Sequence, residues 1–234
     1  MKRLLLTSMT CLLLRVGTTT RADPLQDGVV AYNRGNYLIA LEILRPLAAQ
    51  GVVGAQYKLG VMYWEGQGVF KDYAESVKWY RLAAAQGHAS SQYNLGVIYS
   101  DGKGVGQDYA ESVKWYRLAA TQGHASAQTN LGVLYEDGHG VIKDYAESVR
   151  WYRLAARQGN TSAQYNLGLM YHNGKGVAED DVHAYMWFNV GAVSGDVDAV
   201  NSRDLIAKRS DSKVIDQAQR MALDCLQRNF KGCD

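Results

Sequence analysis

Five histidines, 3 cysteines and 5 tryptophans are the side chains of this 234-residue chain whose types invite chemistry. His88 and His124 stand 36 residues apart at one position of a recurring pattern, and Asn160 occupies that position next. A histidine that alternates with asparagine suits a turn or a helix start better than proton transfer. Trp79, Trp115, Trp151 and Trp187 recur at the same period and offer flat faces to a sugar. A position repeated in every unit more often serves the stacking of the units. The Asp-Gly-Lys-Gly at residues 101–104 lacks the Gly-Lys-Ser/Thr ending of a phosphate loop and follows a helical pattern rather than a strand. It fails as a calcium loop too, because Lys103 and Val105 stand where oxygen ligands are needed. No His-Glu-x-x-His, no Gly-x-Ser-x-Gly and no cysteines at metal spacing occur. The expectation is therefore no catalytic residue, no metal and no cofactor.

What positions these residues is a repeat. Residues 55–60 return at 91–96, 127–132 and 163–168, and residues 72–80 return at 108–116 and 144–152. A constant period of this size marks a solenoid. The 24 glycines against 2 prolines and 16 tyrosines fit a folded array with regularly placed turns. Each unit reads as two helices. Ala55, Leu59, Met62 and Tyr63 share one face of the first, and Gly60 is expected to let a neighbouring backbone approach. Gly66 and Gly68 break it. The second helix opens with Asp72 and Glu75, a capping box repeated by Asp108 with Glu111 and by Asp144 with Glu147. Val77, Tyr80, Ala83 and Ala84 form its buried stripe and Gly87 ends it.

The pattern Ala-Gln-x-x-Leu-Gly-x-x-Tyr-x-x-Gly-x-Gly-Val-x-x-Asp-Tyr-x-x-Ser-Val-x-Trp-Tyr-x-x-Ala-Ala-x-Gln-Gly, read from residue 55, resembles the Sel-1-like repeat, a relative of the tetratricopeptide repeat. The resemblance covers residues 55–159 almost without interruption. It implies an all-α fold, a right-handed superhelical solenoid of helix-turn-helix units. The expected units are a divergent one at 23–51, repeats at 52–87, 88–123, 124–159 and 160–195, and a helical cap at 196–234. The fourth repeat departs at His183, where the capping Glu would stand, and at Gly191, where an Ala would stand. In the first unit the turn is shorter, and Pro46 is expected to kink the second helix. In the cap, residues 197–209 and 211–228 read as a final helix pair.

Residues 1–22 read as an export signal. Lys2 and Arg3 form a basic head, residues 4–14 an apolar run, and Thr20-Arg21-Ala22 a small-residue cleavage site before Asp23. Arg15 so near the run is atypical, and a lipidated Cys11 is the weaker alternative. No stretch is long enough for a transmembrane helix. Lys2, Arg3, Arg15 and Arg21 are the only charges there, so their removal takes the net charge from +2 to −2. A near-neutral body argues against nucleic acid, which needs clustered cations. The expected location is periplasmic or secreted. The remaining Cys225 and Cys233 suggest one disulfide, the alternative being two free thiols.

By analogy with tetratricopeptide grooves, the first helix of each repeat lines a concave face. The expected lining is Tyr57, Lys58, Val61, Trp64 and Glu65 in the first repeat, and Tyr93, Asn94, Val97 and Asp101 in the second. The third contributes Thr129, Asn130, Val133 and Asp137, and the fourth Tyr165, Asn166, Leu169 and His172. The resemblance implies a non-enzymatic adaptor of the bacterial cell envelope that holds a protein or peptide partner in this groove, as a monomer. Two alternatives stand beside it. One is a β-lactam-binding or hydrolysing enzyme, as in cysteine-rich members, whose repeats carry disulfides that these lack. The other is a structural stabiliser of an envelope complex.

Overall fold

The structure, a computed structural model, describes residues 23–233. The expected export signal lies outside the described residues. These form twelve helices and no strand, an all-α repeat solenoid: α1 (Pro24–Asn33), α2 (Tyr37–Ala49), α3 (Val53–Glu65), α4 (Tyr73–Ala85), α5 (Ala89–Asp101), α6 (Tyr109–Thr121), α7 (Ala125–Asp137), α8 (Tyr145–Ala156), α9 (Thr161–Asn173), α10 (Asp181–Val193), α11 (Val197–Arg209) and α12 (Ser212–Gln227). From α1 to α10 each helix packs mainly on its neighbours in sequence.

Turn chemistry sets the helix ends. Gly66, Gly102, Gly138 and Gly174 stop the first helices in the left-handed region, at φ between 61° and 77°, where a Cβ is unwelcome. The second helices start on Asp72, Asp108 and Asp144, whose carboxylates accept from the N–H of Glu75, Glu111 and Glu147. The reciprocal half of the expected capping box does not form. The backbone N–H of Asp72 donates instead to the Tyr63 carbonyl at 2.9 Å, and Asp108 and Asp144 do the same to Tyr99 and Tyr135. That bond satisfies an orphan carbonyl of the preceding helix as well. The glutamates, so released, pair with Lys78, Lys114 and Arg150.

What approaches Gly60 is a ring, not the backbone expected from the sequence. A Cβ at Gly60 would lie 2.5 Å from Tyr80, and the pairs Gly96 with Tyr116, Gly132 with Tyr152 and Gly168 with Phe188 repeat the contact. Ser76 and Ser112 lock the two helices beside it by donating at 2.7 Å to the carbonyls of Gly60 and Gly96. Two polar ladders then join consecutive units. Arg45, Arg81, Arg117 and Arg153 reach the hydroxyls of Tyr63, Tyr99, Tyr135 and Tyr171. Gln86, Gln122 and Gln158 donate at 2.7–2.8 Å to Gln56, Gln92 and Gln128, whose own amides donate to buried carbonyls.

The glutamine ladder ends on an open rung. Ser194 stands where Gln158 stood one repeat earlier, and Oε1 of the fully buried Gln164 has no partner among the described residues. Ser194 has φ −81° and ψ 1°, the backbone of Gln122 at −86° and 2°. Ser194→Gln should therefore close the rung and stabilise the protein by about 1 kcal/mol. Thermal unfolding checks this, and a Ser194→Ala control showing the same gain would contradict it.

The ends depart from the pattern. Gly28 receives Leu44, since a Cβ there would meet it at 2.6 Å, so α1 and α2 repeat the ring contact with an aliphatic side chain. Pro46 lies within α2, which continues to Ala49; the position falls in the exposed last turn, where one missing N–H is tolerated. Gly191 accommodates α11, with Ala199 3.2 Å from where its Cβ would be. The two expected final helices form as α11 and α12, but both pack on α10 rather than chiefly on each other. Both members of the ring seat are gone: Asp204, paired with Arg203 at 2.8 Å, stands at the position of Gly168 one repeat on, and Asp224 at that of Phe188. Cys225 and Cys233 are disulfide-bonded, both buried, with Cα atoms 5.0 Å apart. They close the cluster that holds α12 to α10.

Candidate functional site

The first helices present their free sides between successive units, and two cavities open there. Val61 and Trp64 of α3, with Tyr93, Asn94 and Val97 of α5, line one of about 260 Å³. Tyr93, Val97 and Asp101 of α5, with Asn130 and Val133 of α7, line the next, of about 320 Å³. Tyr93 and Val97 belong to both, so the cavities share a wall and form a groove across three repeats. Tyr80 floors the first and Tyr116 the second. Burial pushes both phenols well above the usual tyrosine range. They therefore remain protonated and serve as hydrogen-bonding groups rather than acids.

The expected lining residues divide by what they touch. Val61, Trp64, Asn94, Val97, Asn130 and Val133 face the cavities, and Trp64 packs on Tyr73 with ring centroids 4.6 Å apart. Asn130 donates to the Tyr116 hydroxyl at 2.9 Å, which leaves its carbonyl oxygen to accept. Tyr57 and Tyr93 lie half-buried over His88 and His124, and Tyr165 packs on Phe188. Lys58 turns aside, its ammonium 4.3 Å from the Tyr32 ring centroid, and burial lowers its pKa. Thr129 is buried and its hydroxyl donates to the Ala125 carbonyl of its own helix, so it offers the groove nothing. Asn166 is half-buried on α9.

Leu169 and His172 belong to a separate cavity of about 340 Å³ with Ser202, Leu205, Ile206 and Arg209 of α11. There His172 and Arg209 both contact the carboxylate of Asp181, at 3.0 and 2.8 Å. The sequence does not reveal this cavity, because residues 197–209 carry little of the repeat signature that marks the other first helices. The tyrosine floor is not among the expected lining either, although the constant separation of 20 residues from Gly60 to Tyr80 and from Gly96 to Tyr116 carries the signal. Trp79, Trp115, Trp151 and Trp187 pack against the hydrophobic clusters between units, as their regularity led us to expect. Among the described residues no three or more His, Cys, Asp or Glu side chains are arranged to hold a metal ion.

His88 and His124 start α5 and α7. Their Nδ1 atoms accept from the N–H of Ser91 at 3.2 Å and of Ala127 at 3.3 Å, as Asn160 accepts from Ala163 at 2.9 Å. Burial lowers both histidine pKa values. Between the lowered folded value and the unfolded one near 6.5, the unfolded chain binds more protons. Stability is therefore complete above about pH 6.5 and falls as the pH drops through the folded values, where protonation also removes the capping acceptor. The melting temperature should fall between pH 7 and pH 5, and His88→Asn with His124→Asn should flatten that profile. An unchanged slope in the double variant would contradict the assignment.

The sequence matches the Sel1 repeat at residues 53–88, 89–124, 125–160 and 161–192. Among solved structures, it is similar to a protective antigen present in uropathogenic Escherichia coli strains that displays an SLR fold. That likeness has 44% identity and a TM-score of 0.71 and covers 72% of this chain. It spans only 36% of the E. coli chain. A Sel1 repeat protein from Oxalobacter formigenes is 39% identical, with a TM-score of 0.72, covering 75% of this chain and 72% of that one. No curated protein sequence shows significant similarity.

Proposed function

The chain belongs to the Sel1 repeat family, and on that premise we propose that it is a non-enzymatic scaffold of the bacterial cell envelope whose first-helix groove holds an extended segment of a partner protein. Sel1 repeat proteins generally mediate protein–protein interaction. The observation that carries the reading here is the shared wall: Tyr93 and Val97 join two cavities into one path across three repeats. A globular ligand would need one large concavity, whereas a chain threads several small ones. Two facts support the envelope location. Cys225 and Cys233 are disulfide-bonded, as oxidising compartments favour. The E. coli relative is a protective antigen. The test is retention of the partner by Val97→Arg, which blocks the shared wall, against Leu118→Arg on the second-helix face, with partners identified by crosslinking in the exporting cell.

A further inference from the structure

We propose that the groove is selective for a cationic segment, one that presents a lysine or arginine about once per repeat and apolar side chains between; this rests on the groove reading above. Three first helices end on a carboxylate, Glu65 on α3, Asp101 on α5 and Asp137 on α7. That is the negative end of the helix dipole, where an acid works against the helix and a cation is favoured. The fold does not call for acids there, and rules broken at regular positions mark function. Glu65 lines the first cavity and Asp101 the second, so two of these charges stand on the rim of the groove itself.

The protein supplies little to neutralise them. No ion pair joins Glu65 or Asp137 to a described cation, and Asp101 meets only Lys103, two residues away on the same exposed turn. Lys58, the one lysine expected in the lining, is turned onto Tyr32. The cations of the second helices are engaged elsewhere, Lys78 and Lys114 with glutamates and Arg81 and Arg117 with tyrosines. Below the acids the walls carry apolar side chains beside the amides, Val61 and Trp64 with Asn94 in one cavity and Val97 and Val133 with Asn130 in the other. Successive first helices in contact lie roughly 10 Å apart. An extended chain of three residues per turn advances about 9 Å each turn, so every third side chain meets the next carboxylate.

Fluorescence anisotropy with labelled nonapeptides tests this, using Lys-Leu-Ser three times over and its Gln and Glu counterparts. The Lys peptide should bind the full chain about 10-fold more tightly than the Gln peptide, with affinity that falls as salt is added, and the Glu peptide should bind most weakly. Glu65→Gln combined with Asp101→Asn and Asp137→Asn should lose that 10-fold preference without a fall in melting temperature, since each amide relieves the helix end. Equal affinity for the Lys and Gln peptides, or an unchanged preference in the triple variant, overturns the proposal. If binding is equal yet Val97→Arg still abolishes it, the groove stands and only the charge selectivity fails. Absence of any binding sensitive to Val97→Arg removes both.

Discussion

Gly96→Ala should destabilise the protein by about 3 kcal/mol, the upper end of overpacking effects in a close-packed interior. The methyl group would stand 2.4 Å from Cδ1 and 2.5 Å from Cε1 of Tyr116, closer than real Cβ atoms come to any neighbour. The ring is held in place. It is buried to 3% exposure, Asn130 holds its hydroxyl at 2.9 Å, and the Ser112 bond to the Gly96 carbonyl keeps the two helices together. The intrinsic gain of about 1 kcal/mol from replacing a helical glycine with alanine is too small to offset this. Gly106→Ala is the control, because a Cβ there meets nothing within 4 Å. Denaturant melts of both variants decide it: two indistinguishable curves would mean that the ring seat is not what joins the helices.

Val97→Arg should weaken partner binding by about 100-fold, the scale at which interface hot spots act. Val97 contributes to both cavities of the groove. An arginine there fills space on both sides of the wall at once, which no change at Val61 or Val133 does. Arginine is also the better helix former, so α5 should persist. Val97→Thr keeps the shape and should bind nearly as the parent does, which separates blocked space from lost folding. Leu118 is the informative contrast. Leu82, Leu118 and Leu154 form a row on the second helices, exposed at 44%, 48% and 37%, and this row is the competing surface for a partner.

Much of this architecture was legible in the sequence because a solenoid repeats its own instructions. The glycines that end each first helix and the aspartates that start each second helix needed only local chemistry. His88 and His124 were readable as helix starts because Asn160 replaces them. Disulfide pairing of Cys225 and Cys233 followed from parity and compartment. What escaped was the choice between partners that are both within reach. Asp72 has two candidate acceptors for its backbone N–H, the Glu75 side chain and the Tyr63 carbonyl, and only the turn geometry between helices selects the carbonyl. The sequence likewise shows that Gly60 needs a close neighbour, but not that the neighbour is Tyr80 rather than a backbone.

The groove was partly legible for the same reason. Helical spacing found Val61, Trp64, Val97 and Val133 on one face, yet spacing alone does not show how deep a side chain sits. Thr129 has the same register as Tyr57 and Tyr93, but its short side chain turns back to Ala125 and is covered. The end of the array was the least readable part. Residues 197–228 keep little of the repeat signature: Arg203, Asp204 and Asp224 stand where Leu167, Gly168 and Phe188 stood one repeat earlier, and α12 packs on α10.

The most direct measurement is the dissociation constant of the captured partner for Val97→Arg and Leu118→Arg, taken side by side on chains with equal melting temperatures. Binding lost in Val97→Arg and kept in Leu118→Arg is the predicted result; binding kept in Val97→Arg and lost in Leu118→Arg would place the partner on the second-helix face and contradict the account.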